Sequence, residues 1–213
     1  RIIPAALDLV DIAGLVKGAS DGEGLGNAFL SNIREMTALA HVVRCFEDQN
    51  ITHVDGSVNP KRDVEVINLE LILSDLETVT KRIAKCEKLI KTNDKNNKIQ
   101  LEILLLIQKD LENGQLINLK NFTEDEQKII KSFQLLSSKS MFFIGNINDS
   151  EQSQKYIEQL NLVAKELNTF VIPVSIKIEH EISTLEEEEK KEYLEVMGLD
   201  EPILNKIILE GYK

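Results

Sequence analysis

The feature that most constrains this chain is a glycine-rich segment that directly follows a short apolar run. Leu7, Leu9 and Val10 are apolar, the run ends at Asp11, and glycines then occupy positions 14, 18, 22, 24 and 26. Five of the ten glycines in 213 residues therefore fall within thirteen positions. Glycine has no β-carbon, so its backbone can approach a ligand closely. A strand that ends at a carboxylate and opens into such a loop is typical of a ligand site at the carboxyl edge of a parallel sheet.

The start of this loop has the spacing Asp-x-x-Gly, with Asp11 and Gly14 at its ends. In phosphate-hydrolysing switch proteins, an aspartate at such a place reaches the shell of a magnesium ion, and the glycine amide reaches the terminal phosphate. A four-residue pattern of this kind often occurs by chance, but the preceding strand and the following glycines favour a phosphate site here. We therefore predict a phosphate site that contains Asp11 and Gly14.

Apolar segments suited to buried parallel strands recur along the chain. Four strands are predicted, over residues 2–11, 38–46, 141–145 and 169–175. Helical periodicity is found in residues 27–36, 151–167, 182–196 and 201–210. The order strand, helix, strand is typical of the right-handed crossover units of an α/β fold. The sequence thus predicts an α/β domain with a parallel sheet.

Between residues 64 and 137 the pattern changes to long helices. Apolar residues are spaced alternately three and four apart over about three heptads, which is typical of a coiled-coil seam. The seam consists of Leu69, Ile72, Leu76, Val79, Ile83, Cys86 and Ile90. A second helix is predicted over 98–111, and Thr123 with Glu126 forms a capping box for a third. We expect an antiparallel helical arm, which either packs only on itself or binds a partner.

These patterns predict three segments: residues 1–63 and 138–213 as two parts of one α/β domain, and residues 64–137 as the inserted arm. The net charge of −11 argues against a broad surface for nucleic acid or an anionic membrane, although a local basic patch stays open. We expect no direct DNA binding. No apolar run is long enough to span a membrane and no signal peptide is visible, so a cytoplasmic location is expected.

The ends of the third and fourth predicted strands carry a second group of candidate residues. Asn146, Ile147 and Asp149 follow one strand, and Ser175 ends the next. Small GTPases carry Asn-Lys-x-Asp at the first of these places, where the aspartate accepts hydrogen bonds from guanine. Ile147 replaces that lysine, which weakens the guanine interpretation without creating one for adenine. The alternative is an ordinary strand-to-helix turn, capped by asparagine side chains.

Three segments together carry a family resemblance: DIAGLVKGASDGEGLGN at 11–27, FLSNIRE at 29–35 and HVVRCFE at 41–47. They resemble the YchF (Obg-like ATPase) family, and the resemblance covers essentially the whole chain. It implies a P-loop NTPase of the translation-factor class that binds ATP with Mg²⁺, prefers ATP to GTP and associates with the ribosome. Family members also have a phosphate-cradling loop of the form Gly-x-x-x-x-Gly-Lys-Ser/Thr and a C-terminal TGS domain. This chain contains neither, so a fragment is expected.

The resemblance also implies roles for single residues. Asp11 would hold magnesium through water, and the Gly14 amide would meet the γ-phosphate. Leu15 stands where related enzymes carry a water-orienting glutamine, and leucine cannot hydrogen-bond water. His41, predicted to open the second strand, is the candidate to position the nucleophile.

In the same family interpretation, Asn146, Ile147 and Asp149 would flank the base, and Ser175 would contact the nucleotide from the next loop. His53 and His180 are interpreted as surface residues. The leading functional hypothesis is an ATPase switch that reports its nucleotide state to the ribosome. The alternatives are a GTPase of the same architecture and a non-catalytic scaffold whose arm binds a partner.

Overall fold

The computed structural model of the chain describes residues 8–12, 25–53, 56–90 and 95–211. Its elements are, in chain order, α1 (Leu25–Glu35), β1 (Ala38–Arg44), α2 (Pro60–Ile90), α3 (Lys95–Glu112), α4 (Glu124–Phe133), β2 (Ser140–Asn146), α5 (Glu151–Glu166), β3 (Val171–Val174), α6 (Ile176–Ser183), α7 (Glu187–Val196) and α8 (Ile203–Gly211). The chain divides into two compact units. The sheet unit comprises Arg1–Asp11, Ala40–Asp63 and Met141–Lys213, and the arm unit comprises Ile12–Leu39 and Val64–Ser140.

The sheet unit is built on three strands in the order β1-β2-β3. The sheet is parallel, as the sequence predicted, with Phe143 opposite Val171 and Asn146 opposite Val174 in the pairing of β2 with β3. Three of the four predicted strands are therefore confirmed. The strand ends that carry the candidate residues of the second group lie at the carboxyl edge of this sheet.

Both faces of β2 are covered by apolar side chains. On one face, Phe142 and Ile144 form a buried cluster with residues of β3 and with Ile207 of α8. On the other, Gly145 is packed so closely by α5 that an added β-carbon would overlap Ile157 Cδ1. A glycine is needed here because Ile157 is itself buried and cannot easily withdraw.

The prediction of a buried strand over residues 2–11 is wrong for the part that the structure describes. Residues 8–11 are exposed and lie outside any strand, and the exposed fractions of Leu9 and Val10 are 62% and 55%. Residues 2–7 lie outside the described residues. A strand needs a neighbour for its backbone groups, and within the described part of the chain the sheet consists of β1, β2 and β3 alone.

The predicted helix over residues 182–196 is two helices, α6 and α7. Ser175 caps the start of α6, since its hydroxyl oxygen accepts a hydrogen bond from the Ile178 amide at 3.4 Å. Glu186 then starts α7 through a capping box with Glu189. Residues 186–192 are all charged, so apolar periodicity does not mark where one helix ends and the next begins, and these caps do.

The arm unit has its own core, in which α2, α3 and α4 pack together. The buried cluster includes Ile72, Val79, Ile83, Cys86, Ile103, Leu104, Ile107, Leu111, Ile130 and Phe133. Four of the predicted seam residues are in this cluster, and the capping box of α4 at Thr123 and Glu126 is present. The prediction that Leu69 belongs to the buried seam is wrong, because half of this residue is exposed. None of the helices in the described part of the chain is long and apolar enough to cross a membrane.

The seam prediction fails near Leu69 because the buried face of α2 here includes a polar residue, Asp75. Asp75 is fully buried, and its Oδ1 accepts a hydrogen bond from the Leu136 amide at 2.9 Å. Its Oδ2 accepts from the amide and the hydroxyl of Ser137, both at 2.7 Å. Burial raises the pKa of Asp75, while these donors and the Arg34 guanidinium oppose the rise.

Helix α1 belongs to the arm unit, although the sequence placed residues 12–39 in the α/β domain. Arg34 near its end donates hydrogen bonds to the hydroxyls of Ser74 and Thr78 on α2 and to the Gln134 carbonyl after α4. Its Nη1 also lies 3.9 Å from Asp75 Oδ1. Side-chain contacts between distant segments thus attach α1 to the arm, and the local pattern of apolar residues does not report them.

A second cation, Lys139, binds the carboxyl end of α1. Lys139 Nζ donates a hydrogen bond to the carbonyl of Arg34 at 2.9 Å and another to that of Met36. The last carbonyls of a helix have no partner within the helix, and a lysine side chain can satisfy them. Burial lowers the pKa of Lys139, although the nearby Asp75 charge favours the protonated form.

We expect Asp75→Asn to destabilise the arm unit. The substitution replaces one carboxylate oxygen with an amide nitrogen, so a buried backbone donor loses its acceptor, and we expect a loss of about 2 kcal/mol in the free energy of unfolding. Urea unfolding followed by far-UV circular dichroism measures it.

The matched control is Glu77→Gln on the same helix, because Glu77 pairs with Lys81 on the exposed surface. An exposed pair of this kind contributes about 0.3–0.5 kcal/mol. Equal effects of the two substitutions would contradict a structural role for the buried carboxylate.

Candidate functional site

The carboxyl edge of the sheet is held together by backbone hydrogen bonds beyond the strands themselves. The Cys45 amide, directly after β1, donates to the Asn146 carbonyl at 2.8 Å. The Ile147 amide, directly after β2, donates to the Val174 carbonyl at 2.9 Å. The ends of all three strands are therefore fixed next to one another, and the loops that leave them start from defined positions.

The structure brings Asn146, Ile147 and Ser175 together at this edge. Asn146 Oδ1 accepts a hydrogen bond from the Ile176 amide at 3.3 Å, which joins the end of β2 to the start of α6. Because that contact uses the oxygen of the amide, the Nδ2 group keeps its two donors for another partner. Ser175 Oγ is the acceptor that caps α6, so its hydroxyl proton can point outward.

The turn after Ile147 combines a capping asparagine with an exposed carboxylate. Asn148 Oδ1 accepts hydrogen bonds from the hydroxyls of Ser150 and Ser153, each at 2.6 Å, and Ser150 caps α5. The capped turn that the sequence left open as an alternative is therefore present. Asp149 is exposed beside it. A capped turn of this kind does not conflict with base binding, because it fixes the backbone from which Asp149 projects.

Of the residues predicted to meet the phosphates, the structure describes only Asp11. Asp11 is exposed and lies outside any strand. No hydrogen bond joins its side chain to another residue in the described segments. Gly14 and Leu15 lie outside the described residues. Their roles stay predictions.

His41 lies in the middle of β1, whereas the sequence predicted that it opens the strand. The ring packs against Phe143 with a centroid separation of 5.7 Å. Its Nδ1 is buried without a hydrogen-bond partner. Burial lowers the pKa of His41 to about 4, and the charge of Asp63 opposes the shift only in part. The imidazole is therefore neutral at physiological pH and packed inside the sheet unit, which disfavours a direct contact with a nucleophilic water.

The segment after β1 is held by contacts that the sequence did not reveal. Arg44 donates hydrogen bonds to the carbonyls of Phe46 and Ile51 and lies over the Phe46 ring. His53 Nε2 lies 3.1 Å from Asp63 Oδ2 near the start of α2, so His53 is not a free surface residue as predicted. These contacts join residues two, seven and ten positions apart in the chain, and no helical or strand periodicity marks them.

The end of this strand is also fixed from the helix layer. The Tyr156 hydroxyl on α5 donates a hydrogen bond to Glu47 Oε1 at 2.6 Å. The bond to Glu47 raises the pKa of Tyr156. Glu47 therefore has a fixed orientation at the carboxyl edge.

Among the described residues, no three His, Cys, Asp or Glu side chains form a group that could hold a metal ion by themselves. Mg²⁺ in nucleotide sites does not require such a group, because it keeps several waters and binds one or two carboxylates together with the substrate phosphates. The exposed carboxylate of Asp11 fits that arrangement. Cys45 and Cys86 are buried free thiols, and burial raises the pKa of Cys45 to about 12, so Cys45 offers no thiolate ligand.

The parallel sheet, the loops at its carboxyl edge and the helical arm define a G-domain-like α/β fold with an inserted helical unit. No protein-family model matches the chain. The chain is 44% identical to the ribosome-binding ATPase YchF of Escherichia coli O157:H7 over 214 residues, and 44% identical to that of Bacillus subtilis over 216 residues. Both alignments cover all of this chain and 59% of the relative.

A solved structure of a YchF protein is also similar to this chain. The Schizosaccharomyces pombe YchF GTPase matches with a TM-score of 0.73 and 33% identity, over 94% of this chain and 56% of that one. The chain is homologous over its whole length to the YchF family, and it spans about three fifths of the length of these relatives.

The burial of the His41 ring predicts how the free energy of unfolding depends on pH. Between pH 6.5 and about 4 the unfolded chain binds a proton at His41 that the folded chain does not bind. Acidification across this range therefore favours unfolding, and the free energy of unfolding rises as the pH rises toward 6.5. We expect His41→Leu to flatten this part of the pH profile, measured by urea unfolding at several pH values.

His180→Gln is the control, because His180 is exposed. It is expected to leave the slope unchanged. A slope that is the same in wild type and in His41→Leu would show that His41 is not buried as a neutral ring.

Proposed function

We propose that the full-length protein is a nucleotide-dependent switch that hydrolyses ATP and associates with the ribosome in the cytoplasm. The homology over the whole chain supports this, since the bacterial relatives are named ribosome-binding ATPases. The chain spans 59% of their length, so the activity is proposed for the longer protein and not for these 213 residues alone.

The observation that carries the proposal is the attachment of α1 to the arm unit. The glycine-rich segment that begins at Asp11 leads directly into α1. Arg34 and Lys139 fix the end of that helix to α2 and to the chain after α4. A ligand that displaces the glycine-rich segment would therefore act on a helix that is bonded to the arm. A switch requires such a connection between a ligand-binding loop and a second structural unit.

The residues at the carboxyl edge would bind the base. Asn146 Nδ2 keeps its donors, and an amide can pair with a purine edge. Asp149 is exposed, and in guanine-binding relatives of this fold a carboxylate at this place accepts the hydrogen bonds of guanine. Ile147 brings no positive charge or donor side chain to the ring, and Ser175 would contribute its hydroxyl. We propose ATP as the preferred nucleotide and GTP as the alternative, since the S. pombe relative is named a GTPase.

The phosphate side would be formed by Asp11, Gly14 and Leu15, with the longer protein supplying the phosphate-cradling loop. Mg²⁺ would neutralise phosphate charge, and Asp11 would hold it through water. Leu15 cannot orient a water molecule. His41 is retained as the sequence candidate for that role, although its buried, neutral ring argues for a supporting position behind the site.

A second candidate function is a scaffold in which the arm binds the ribosome and the nucleotide has no catalytic role. The arm unit has a separate core, which is what an independent binding unit would need. The two candidates differ in whether turnover depends on Asp11.

We expect Asp11→Asn in the full-length protein to lower ATP turnover at least tenfold, about 1.4 kcal/mol in the activation barrier, because a neutral amide holds hydrated Mg²⁺ less well. Steady-state phosphate release at a series of Mg²⁺ concentrations measures it.

Asp8→Asn is the matched control, since Asp8 is also exposed and lies in the same described stretch, residues 8–12. Equal turnover of wild type and Asp11→Asn would favour the scaffold.

The base preference has its own test. We expect Asp149→Ala to reduce GTP turnover more than ATP turnover, because adenine does not offer the two donors that a carboxylate accepts from guanine. Competition between ATP and GTP in the full-length protein gives the ratio. A larger loss with ATP than with GTP would contradict the assignment of Asp149 as a carboxylate that accepts hydrogen bonds from guanine.

The 213-residue chain by itself is expected not to bind ATP measurably. Its sequence contains no Gly-x-x-x-x-Gly-Lys-Ser/Thr loop, and that loop provides most of the contacts to the phosphates in this class of site. Titration calorimetry with ATP and Mg²⁺ checks this. Binding in the micromolar range would refute it.

A further inference from the structure

Positive charge is concentrated in one part of the arm unit. Residues 81–98 contain seven lysines and arginines but only two acidic residues, a net charge of +5 in a chain whose net charge is −11. This segment includes the end of α2 and the start of α3. Because α2 and α3 pack side by side in one core and only residues 91–94 separate them, both termini lie at the same end of the arm.

On α2 the lysines lie opposite the core. Lys81, Lys85 and Lys88 are spaced four and three residues apart, so they share one helix face. The buried residues Val79, Ile83 and Cys86 repeat the same spacing two positions earlier. Two positions correspond to about 200° around a helix of 3.6 residues per turn. The lysines therefore face outward, and all three are exposed.

The lysines at the start of α3 do not stabilise that helix. Lys95 and Lys98 lie in its first turn, which contains no acidic residue. The amino end of a helix carries partial positive charge, so cations there are unfavourable by up to about 1 kcal/mol each. Local helix stability thus gives no reason for lysine at these positions, whereas an external anion does.

These charges are available to a partner. Within the described segments, Lys85, Lys88 and Lys98 are exposed and form no ion pair or hydrogen bond through their ammonium groups. Lys81 pairs only with Glu77 at the surface, and such a pair contributes little and is easily exchanged. By contrast, Arg82 belongs to the arm itself, since its guanidinium lies over the Phe133 ring and donates to the Phe133 carbonyl.

We propose that Lys81, Lys85, Lys88 and Lys98, hereafter the basic face, bind the phosphate backbone of RNA. The inference rests on the ribosome association proposed above and assigns its contact to phosphates. Lysine is a point charge that suits phosphate oxygens. Residues 77–98 contain no aromatic side chain on which a base could stack, so the contact is electrostatic and independent of sequence.

The test compares two triple variants of the 213-residue chain. One is Lys85→Ala/Lys88→Ala/Lys98→Ala. The control is Lys155→Ala/Lys165→Ala/Lys206→Ala, which removes the same charge from exposed positions on α5 and α8. Binding to purified bacterial ribosomes and to RNA extracted from them is measured over a series of salt concentrations, and far-UV circular dichroism verifies that both variants keep their helical content.

For extracted RNA, we expect the basic-face variant to bind at least tenfold more weakly than the control. The slope of log K against log salt concentration should fall by about 2 to 3, because each phosphate contact contributes about 0.7–0.9. Equal affinity and slope for the two variants would overturn the proposal, and so would a wild-type chain that binds no RNA. Weaker binding to ribosomes with unchanged binding to extracted RNA would show an acidic protein partner, which also overturns it.

The nucleotide switch proposed above is tested independently of RNA binding. RNA binding by this chain requires no nucleotide, whereas turnover is measured in the full-length protein with the basic face intact. A protein that binds RNA through the basic face but does not hydrolyse ATP would retain this inference and lose the catalytic part of the proposed function.

Discussion

A buried carboxylate organises the base of the arm unit. Asp75 has no access to solvent, and it accepts hydrogen bonds from the backbone that follows α4 while it also faces the guanidinium of Arg34. Burying a charge costs free energy unless it is paired and fully hydrogen-bonded. The donors of Leu136 and Ser137 meet that condition only when the segment after α4 and the long helix α2 are both in place. The contact therefore makes two distant parts of the sequence depend on each other.

The candidate site rests on a different kind of contact. At the carboxyl edge of the sheet, backbone amides of one strand end bond to carbonyls of the next, and Asn146 extends this pattern through its side-chain oxygen. Because most of these bonds involve the backbone, the position of the loops is set by the parallel register and not by the identity of the loop residues. The side chains that would meet a ligand, such as Asp149, can then be exposed without weakening the fold.

Apolar periodicity predicted the strands β1, β2 and β3 and most of the arm core, because burial of one face is a local property of the sequence. It failed at Leu69, where the polar contact at Asp75 turns the buried face, and over residues 8–11, where burial depends on a neighbouring strand. For the site, strand ends predicted the grouping of Asn146, Ile147 and Ser175. Sequence gave no sign that the His41 ring packs on Phe143, because that contact depends on which strands are adjacent.

Three of the five hydrogen bonds that attach α1 have backbone carbonyl oxygens as acceptors. Lys139 bonds to the carbonyls of Arg34 and Met36, and Arg34 bonds to that of Gln134. A carbonyl is present whatever side chain the residue carries. Evolution can therefore change residues such as Met36 and Gln134 without removing the bonds they accept, while the two cations cannot be exchanged so freely. Loss of either cation removes donors at this junction, so the junction depends on two side chains on its donor side and mostly on the path of the backbone on its acceptor side.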